Sequence, residues 1–207
     1  MNLSLVELVV RWAGGLLAFA TLGVIFYGIW RGASRPVGRQ VGEAPGLLHS
    51  LLFYLLASSV FFGVCFLLWR PLPLALSPAA RVAALAFGSL LFFPGIGLVL
   101  WGRLALGRMY FVSTGMGAQL FAGHQLVTHG PFAIVRHPMY AGLAVAAVGG
   151  LFLYQTWTLV ALLLLPFGLM RRARREEQAL ATEFGEQWQD YCRRVPAFIP
   201  RLGKGAE

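Results

Sequence analysis

The chain has 207 residues, 58% of them hydrophobic and only 12% charged, with a net charge of +9 and a mean hydropathy of +0.70. Soluble domains usually carry about 25% charged residues, so the composition excludes an ordinary soluble enzyme and indicates a single polytopic membrane domain. The basic excess sits at the ends of apolar segments, which argues against a nucleic-acid-binding surface.

Met1–Glu7 has no basic n-region, and the apolar run Leu8–Trp30 is long enough to span, so it is expected to stay in the membrane as a first helix. A loop rich in Gly, Pro and Arg follows from Arg31 to Pro45, then a second span, Leu47–Trp69, stopped by Arg70-Pro71-Leu72-Pro73. Ser77-Pro78 is a cap for a third span running to Trp101, with a kink expected at Pro94-Gly95. Residues 102–138 hold no spanning run and are expected to fold over the cytoplasmic face. Met139–Leu153 and Trp157–Met170 are each too short for a full straight crossing and are joined by Tyr154-Gln155-Thr156. They predict a tight helical hairpin that returns Arg136-His137 to the neighbourhood of Arg171–Glu177. From 172 to 193 the pattern is a charged helix with an apolar stripe at Leu180, Phe184, Trp188 and Tyr191. The prolines of 195–200 make an extended tail.

The expected architecture is therefore an all-α polytopic membrane protein. Five transmembrane helices, the last two a short hairpin, are followed by a cytosolic amphipathic helix in one domain, 1–207. Residues 1–101 form three N-terminal spans, and 102–207 form a loop, the hairpin and the C-terminal helix. Of 17 Lys and Arg, only Arg11, Arg70 and Arg81 lie outside the segments on one side, which places the N-terminus outside and the C-terminus in the cytoplasm. Cys65 and Cys192 are too isolated to suggest a disulfide framework or a metal site, and no metal is expected. His49 reads as interfacial, and Trp69, Trp101 and Trp157 as membrane-belt residues.

Ionisable groups flanking hydrocarbon-length helices are costly and mark functional sites. Pro138 in the first turn of the fourth helix leaves unpaired N–H groups beside Arg136, a setting for a carboxylate; taken alone, the pair reads first as a snorkelling arginine and an interfacial histidine. Glu176 and Glu177 follow four arginines, and Arg172 reaches Glu176 at i,i+4, the ordinary helix pairing. Brought together by the hairpin, Arg136, His137, Glu176 and Glu177 form a receptor for a zwitterion at the membrane face. Gly130-Pro131 is a turn signal, and Leu126-Val127 before it offers an apolar wall to a flat ring.

The ordered string His124, Leu126, Val127, Thr128, Gly130, Pro131, Val135, Arg136, His137, Pro138, Tyr140 and Gly142 continues with Glu176-Glu177, then Phe184-Gly185, Trp188 and Tyr191. It ends in Val195-Pro196-Ala197-Phe198-Ile199-Pro200. This pattern, over roughly residues 101–202, resembles the signature of the isoprenylcysteine carboxyl methyltransferase and phospholipid methyltransferase family. Phe132 stands where tyrosine is usual, Ala197 where a basic residue is common, and Tyr110-Phe111 where a tryptophan often lies.

The resemblance implies an integral membrane methyltransferase that binds S-adenosylmethionine at the cytosolic face and releases S-adenosylhomocysteine, with a lipophilic acceptor entering from the bilayer. It implies that His124, Leu126, Val127, Gly130 and Phe132 hold adenine and ribose, that Arg136, His137 and Tyr140 hold the methionine carboxylate end, and that Glu177 meets the ammonium or ribose. Arg172 and Glu176 would orient the acceptor. A prenylcysteine carboxylate, a phospholipid amine, a lipidic phenol and a small thiol all remain open as acceptors. Two other readings stand beside it: a nicotinamide-dependent membrane reductase of the sterol reductase type, and a non-catalytic membrane scaffold.

Overall fold

The computed structural model describes residues 3–33, 37–41, 51–110, 113–114, 117–121 and 123–201; His49 lies outside them. Helix α1 runs from Leu3 to Ala33, strand β1 from Val37 to Val41, α2 from Leu51 to Leu67 and α3 from Pro78 to Leu106. Strands β2, Ser113–Thr114, and β3, Gly117–Phe121, precede α4, Pro138–Tyr154. The chain closes with α5, Trp157–Leu162, α6, Leu165–Phe184, and α7, Glu186–Arg194. Among the described residues, two helical segments, Leu3–Gly28 and Pro78–Met109, are long and apolar enough to cross a membrane. Trp12, Leu16, Phe19, Val60, Phe66, Leu90 and Phe167 are exposed along the helices, an apolar surface that suits lipid and not water.

The centre is the α3–α4 pair, packed backbone to backbone through glycines. A Cβ at Gly95 would stand 2.6 Å from Ala146 N and 2.8 Å from Gly142 O, and one at Gly142 would stand 2.6 Å from Gly95 O. Gly149 faces the Phe92 backbone in the same way, and Gly88 the Gly149 carbonyl. Gly88 and Gly95, like Gly142 and Gly149, recur every seven residues and so line one stripe of each helix, as in close-packed membrane helices. Phe92, Ile96, Ala146 and Leu153 form the buried core, and Val10, Leu17 and Ala18 of α1 pack on it. Helix α3 begins as its sequence suggests, with Ser77 Oγ accepting from Ala80 N at 3.3 Å. It continues helically through Pro94.

Three features differ from the sequence expectation. The frame is helical, but β1, β3 and β2 form a small antiparallel sheet in that order, joining the first loop to the segment after α3. Strands of two to five residues, glycine among them, are too short and too weakly alternating to announce themselves. The hairpin's second leg breaks at Leu163-Leu164, because Pro166 in the first turn of α6 has no N–H to continue the ladder. Helix α6 then runs without interruption from the apolar leg into the charged segment. The charged helix itself divides at Gly185, whose φ of +50° suits a residue without Cβ. The apolar stripe survives the break, since Leu180 and Phe184 of α6 pack with Trp188, Tyr191 and Val195.

Overpacking a filled core costs about 1–3 kcal/mol. Gly95→Leu should therefore lower the thermal transition of the detergent-purified protein by several degrees. Gly97→Ala should leave it unchanged, because a Cβ at Gly97 meets none of the described residues within 4 Å.

Candidate active site

The polar end of the α4–α5–α6 hairpin brings residues forty positions apart into contact. Three donors converge on one carboxylate oxygen: Glu177 Oε1 accepts from Arg136 Nε at 3.0 Å, lies 2.9 Å from Arg136 Nη2 and 3.0 Å from His137 Nε2. The other face of the His137 ring approaches Glu176, with Nδ1 3.8 Å from Oε2. Glu176 Oε1 accepts from the Tyr140 hydroxyl and from Arg172 Nε at 3.3 Å. The i,i+4 pairing and the long-range network therefore coexist on one carboxylate.

The tail is fastened to the same place. Arg136 N donates to Pro196 O at 2.8 Å and His137 N to Ala197 O at 2.9 Å, while Arg136 Nη1 donates to Val195 O at 2.8 Å. The His137 ring is stacked between Tyr140, at 5.6 Å, and Phe198, at 5.2 Å. Because Pro138 starts α4, His137 is held out of the helix at φ −123°, and its backbone is available to the tail.

Beside this network lies a cavity of about 260 Å³. Its polar side is Arg136, His137, Tyr140, Arg172 and Glu176; its other walls include His124, Leu126, Val127, Phe132, Trp188 and Tyr191. Gly130 and Glu177 do not line it. Gly130 instead makes the preceding turn at φ +62°, with its Cα face against Ala105 and Trp101 of α3, and Glu177 stands behind His137 and Arg136. Trp188 and Tyr191 are cavity residues that the amphipathic pattern presents only as packing; the Tyr191 hydroxyl donates to Phe132 O at 2.6 Å, joining α7 to the wall. Arg103 is also unexpected. It is buried, 4.4 Å over the Tyr110 ring, and passes α1 only because Gly28 has no side chain.

The charges are tuned by these contacts. Burial opposes ionisation of Glu177, but the hydrogen bond and charge of His137, with those of Arg136, outweigh it and hold the carboxyl below its ordinary range. Burial lowers His124 to about 4, so it is neutral at pH 7, and raises Tyr191 to about 12. The donor set suits a zwitterion with a flat ring: acids and bases interleave on one side and aromatic and aliphatic groups form the other.

The family described as phospholipid methyltransferase matches residues 83–187, half of the chain, which takes in most of α3, the hairpin and the Arg136–His137–Tyr140–Arg172–Glu176–Glu177 network. The chain belongs to that family. A nickel-cobalt-cadmium resistance protein from Alcaligenes xylosoxydans xylosoxydans is 45% identical over 80 residues, 38% of this chain and 37% of that protein. Methanethiol S-methyltransferase 2 of Bradyrhizobium diazoefficiens is 31% identical over 162 residues, 72% of this chain and 59% of that one. A protein-S-isoprenylcysteine O-methyltransferase of Schizosaccharomyces pombe is 38% identical over 81 residues, covering 38% and 34%. The matches thus span from about a third to three fifths of the relatives' own lengths.

Two pH effects follow. His124 takes its proton more readily when unfolded, near 6.5, than when folded, near 4, so stability should fall as pH drops through that window. Glu177 contributes stability above its unfolded value of 4.5 that is lost as pH falls through its lower folded value. Thermal unfolding against pH should show His124→Phe flattening the upper limb and Glu177→Gln only the lower. At pH 7, Glu177→Ala should cost about 1–3 kcal/mol, since it leaves partly buried donors unmatched.

Proposed function

We propose that this chain is an S-adenosylmethionine-dependent membrane methyltransferase. In this reading it crosses the bilayer five times, with its N-terminus outside and its C-terminus in the cytoplasm, and transfers a methyl group to a lipophilic acceptor at the cytosolic face. The observation that carries the reading is the junction of the Arg136–His137–Glu177 and Tyr140–Glu176–Arg172 contacts along one wall of an otherwise apolar cavity. His124, Leu126, Val127 and Phe132 would enclose the adenine and ribose, with Gly130 setting the turn that aims them. Arg136, His137 and Tyr140 would meet the carboxylate end. Glu177, behind the wall, would act through Arg136 and His137, which its Oε1 holds in position.

S-adenosylmethionine, when bound, supplies a methyl group on a sulfonium that is already electrophilic. The protein's part is then chiefly alignment and exclusion of water. Arg172, held by Glu176 and lying 5.7 Å from the Tyr140 ring, would position the acceptor. A carboxylate acceptor needs no base, whereas a thiol or amine must lose a proton, which Glu176 or His137 would accept. The likeness to methanethiol and isoprenylcysteine methyltransferases makes a thiol and a prenylcysteine carboxylate the first acceptors to try.

Calorimetric titration of the detergent-purified protein with S-adenosylhomocysteine tests the reading. Micromolar binding is expected in the wild type, weakened by about tenfold or more in Glu177→Ala, with no binding of a nicotinamide dinucleotide. Preference for the dinucleotide would favour a reductase, and binding of neither would leave a scaffold. Arg172→Ala should spare S-adenosylhomocysteine affinity and abolish turnover.

A further inference from the structure

We propose a second ligand site, for a phosphate-class anion, at the end of the helix bundle remote from Glu177. A cavity of about 300 Å³ opens there, lined by Glu7, Arg11, Arg81, Leu74, Phe152 and Gln155 among others. It is unrelated to the site above. His137 caps one end of α4 and Gln155 the other, and the 17 residues between them rise about 25 Å.

Its charges do not cancel. Arg81 takes both Glu7 oxygens, Nε to Oε1 at 3.0 Å and Nη2 to Oε2 at 2.6 Å, a bidentate pair that satisfies the acid. Arg11 is left as the surplus cation among the cavity's residues, and its Nε is buried without a hydrogen-bond partner among the described residues. A guanidinium on a hydrocarbon-length helix is retained at considerable cost, and an orphaned buried donor adds to it. A phosphate or phosphodiester oxygen accepting from Arg11 would remove both costs.

The rim is stiff enough to be a receptor. Leu72 N donates to Gln155 O at 2.7 Å, Trp157 N to Arg70 O at 3.1 Å and Thr158 N to Leu68 O at 3.1 Å, so the α2–α3 loop is laced to the α4–α5 turn. The volume stands at the low end for ligand pockets, room for a headgroup and not for acyl chains. Leu74, which lines the cavity and is exposed, offers those chains an apolar path out of it. Phosphate chemistry is common to a lipid headgroup and to the free ion, so the test separates them.

Native mass spectrometry of the full chain in detergent, titrated with phosphatidylglycerol and separately with inorganic phosphate, reads the site without any methyl transfer. Binding by wild type should fall about tenfold or more in Arg11→Gln, persist in Arg11→Lys and strengthen in Glu7→Gln, where a competing negative charge is gone. Arg11-dependent binding of phosphatidylglycerol but not phosphate assigns a lipid, and binding of both assigns the anion itself. No binding of either probe, binding equal in wild type and Arg11→Gln, or weaker binding in a folded Glu7→Gln would overturn the proposal. Should Arg11→Gln fail to fold, the Arg11→Lys and Glu7→Gln comparison decides alone.

Discussion

Glu177 Oε1, with Arg136 Nε, Arg136 Nη2 and His137 Nε2 all within 3.0 Å, is the point on which the polar end of the molecule depends. It ties α6 to the first residues before α4, and Arg136 in turn ties both to carbonyls at the end of α7 and the start of the tail. The cavity wall is a consequence of that closure. With His137 fixed between Tyr140 and Phe198, and Glu176 shared by Tyr140 and Arg172, the polar groups have little freedom left to reorganise. A site that works by alignment needs such preorganisation.

The closure requires that α4 be where the hairpin can reach it, and this is settled in the apolar part. Glycines at 88, 95, 142 and 149 let α3 and α4 approach to backbone contact. Lipid gives no hydrophobic reward for pairing helices, so close van der Waals packing must do it. Pro166 and Gly185 then set the path of the return leg. The first ends the short α5–α6 junction and starts α6, and the second lets α7 swing Trp188 and Tyr191 onto the cavity.

The hairpin was legible because its two legs are short, uniformly apolar and joined by three residues, which leaves Arg136-His137 and Glu176-Glu177 no other place than the same face. Ser77-Pro78 at the start of α3 and the Leu180–Tyr191 stripe were legible for equally local reasons. The sheet was not, because pairing Val37–Val41 with Gly117–Phe121 joins segments some eighty residues apart with no periodicity of their own. Nor was the buried setting of Arg103, which reads as a loop cation until Gly28 of α1 is placed against it. Gly130 and Glu177 belong to the motif, yet their positions behind the wall follow from backbone conformation and side-chain direction, which spacing does not encode.

Ultraviolet cross-linking of methyl-tritiated S-adenosylmethionine to the purified protein, followed by peptide mapping, tests whether this cavity holds the methyl donor. Label is expected on peptides containing His124–Tyr140 or Leu180–Tyr191, removed by excess S-adenosylhomocysteine and unaffected by a nicotinamide dinucleotide. Label confined to other segments, or none that S-adenosylhomocysteine displaces, would contradict it.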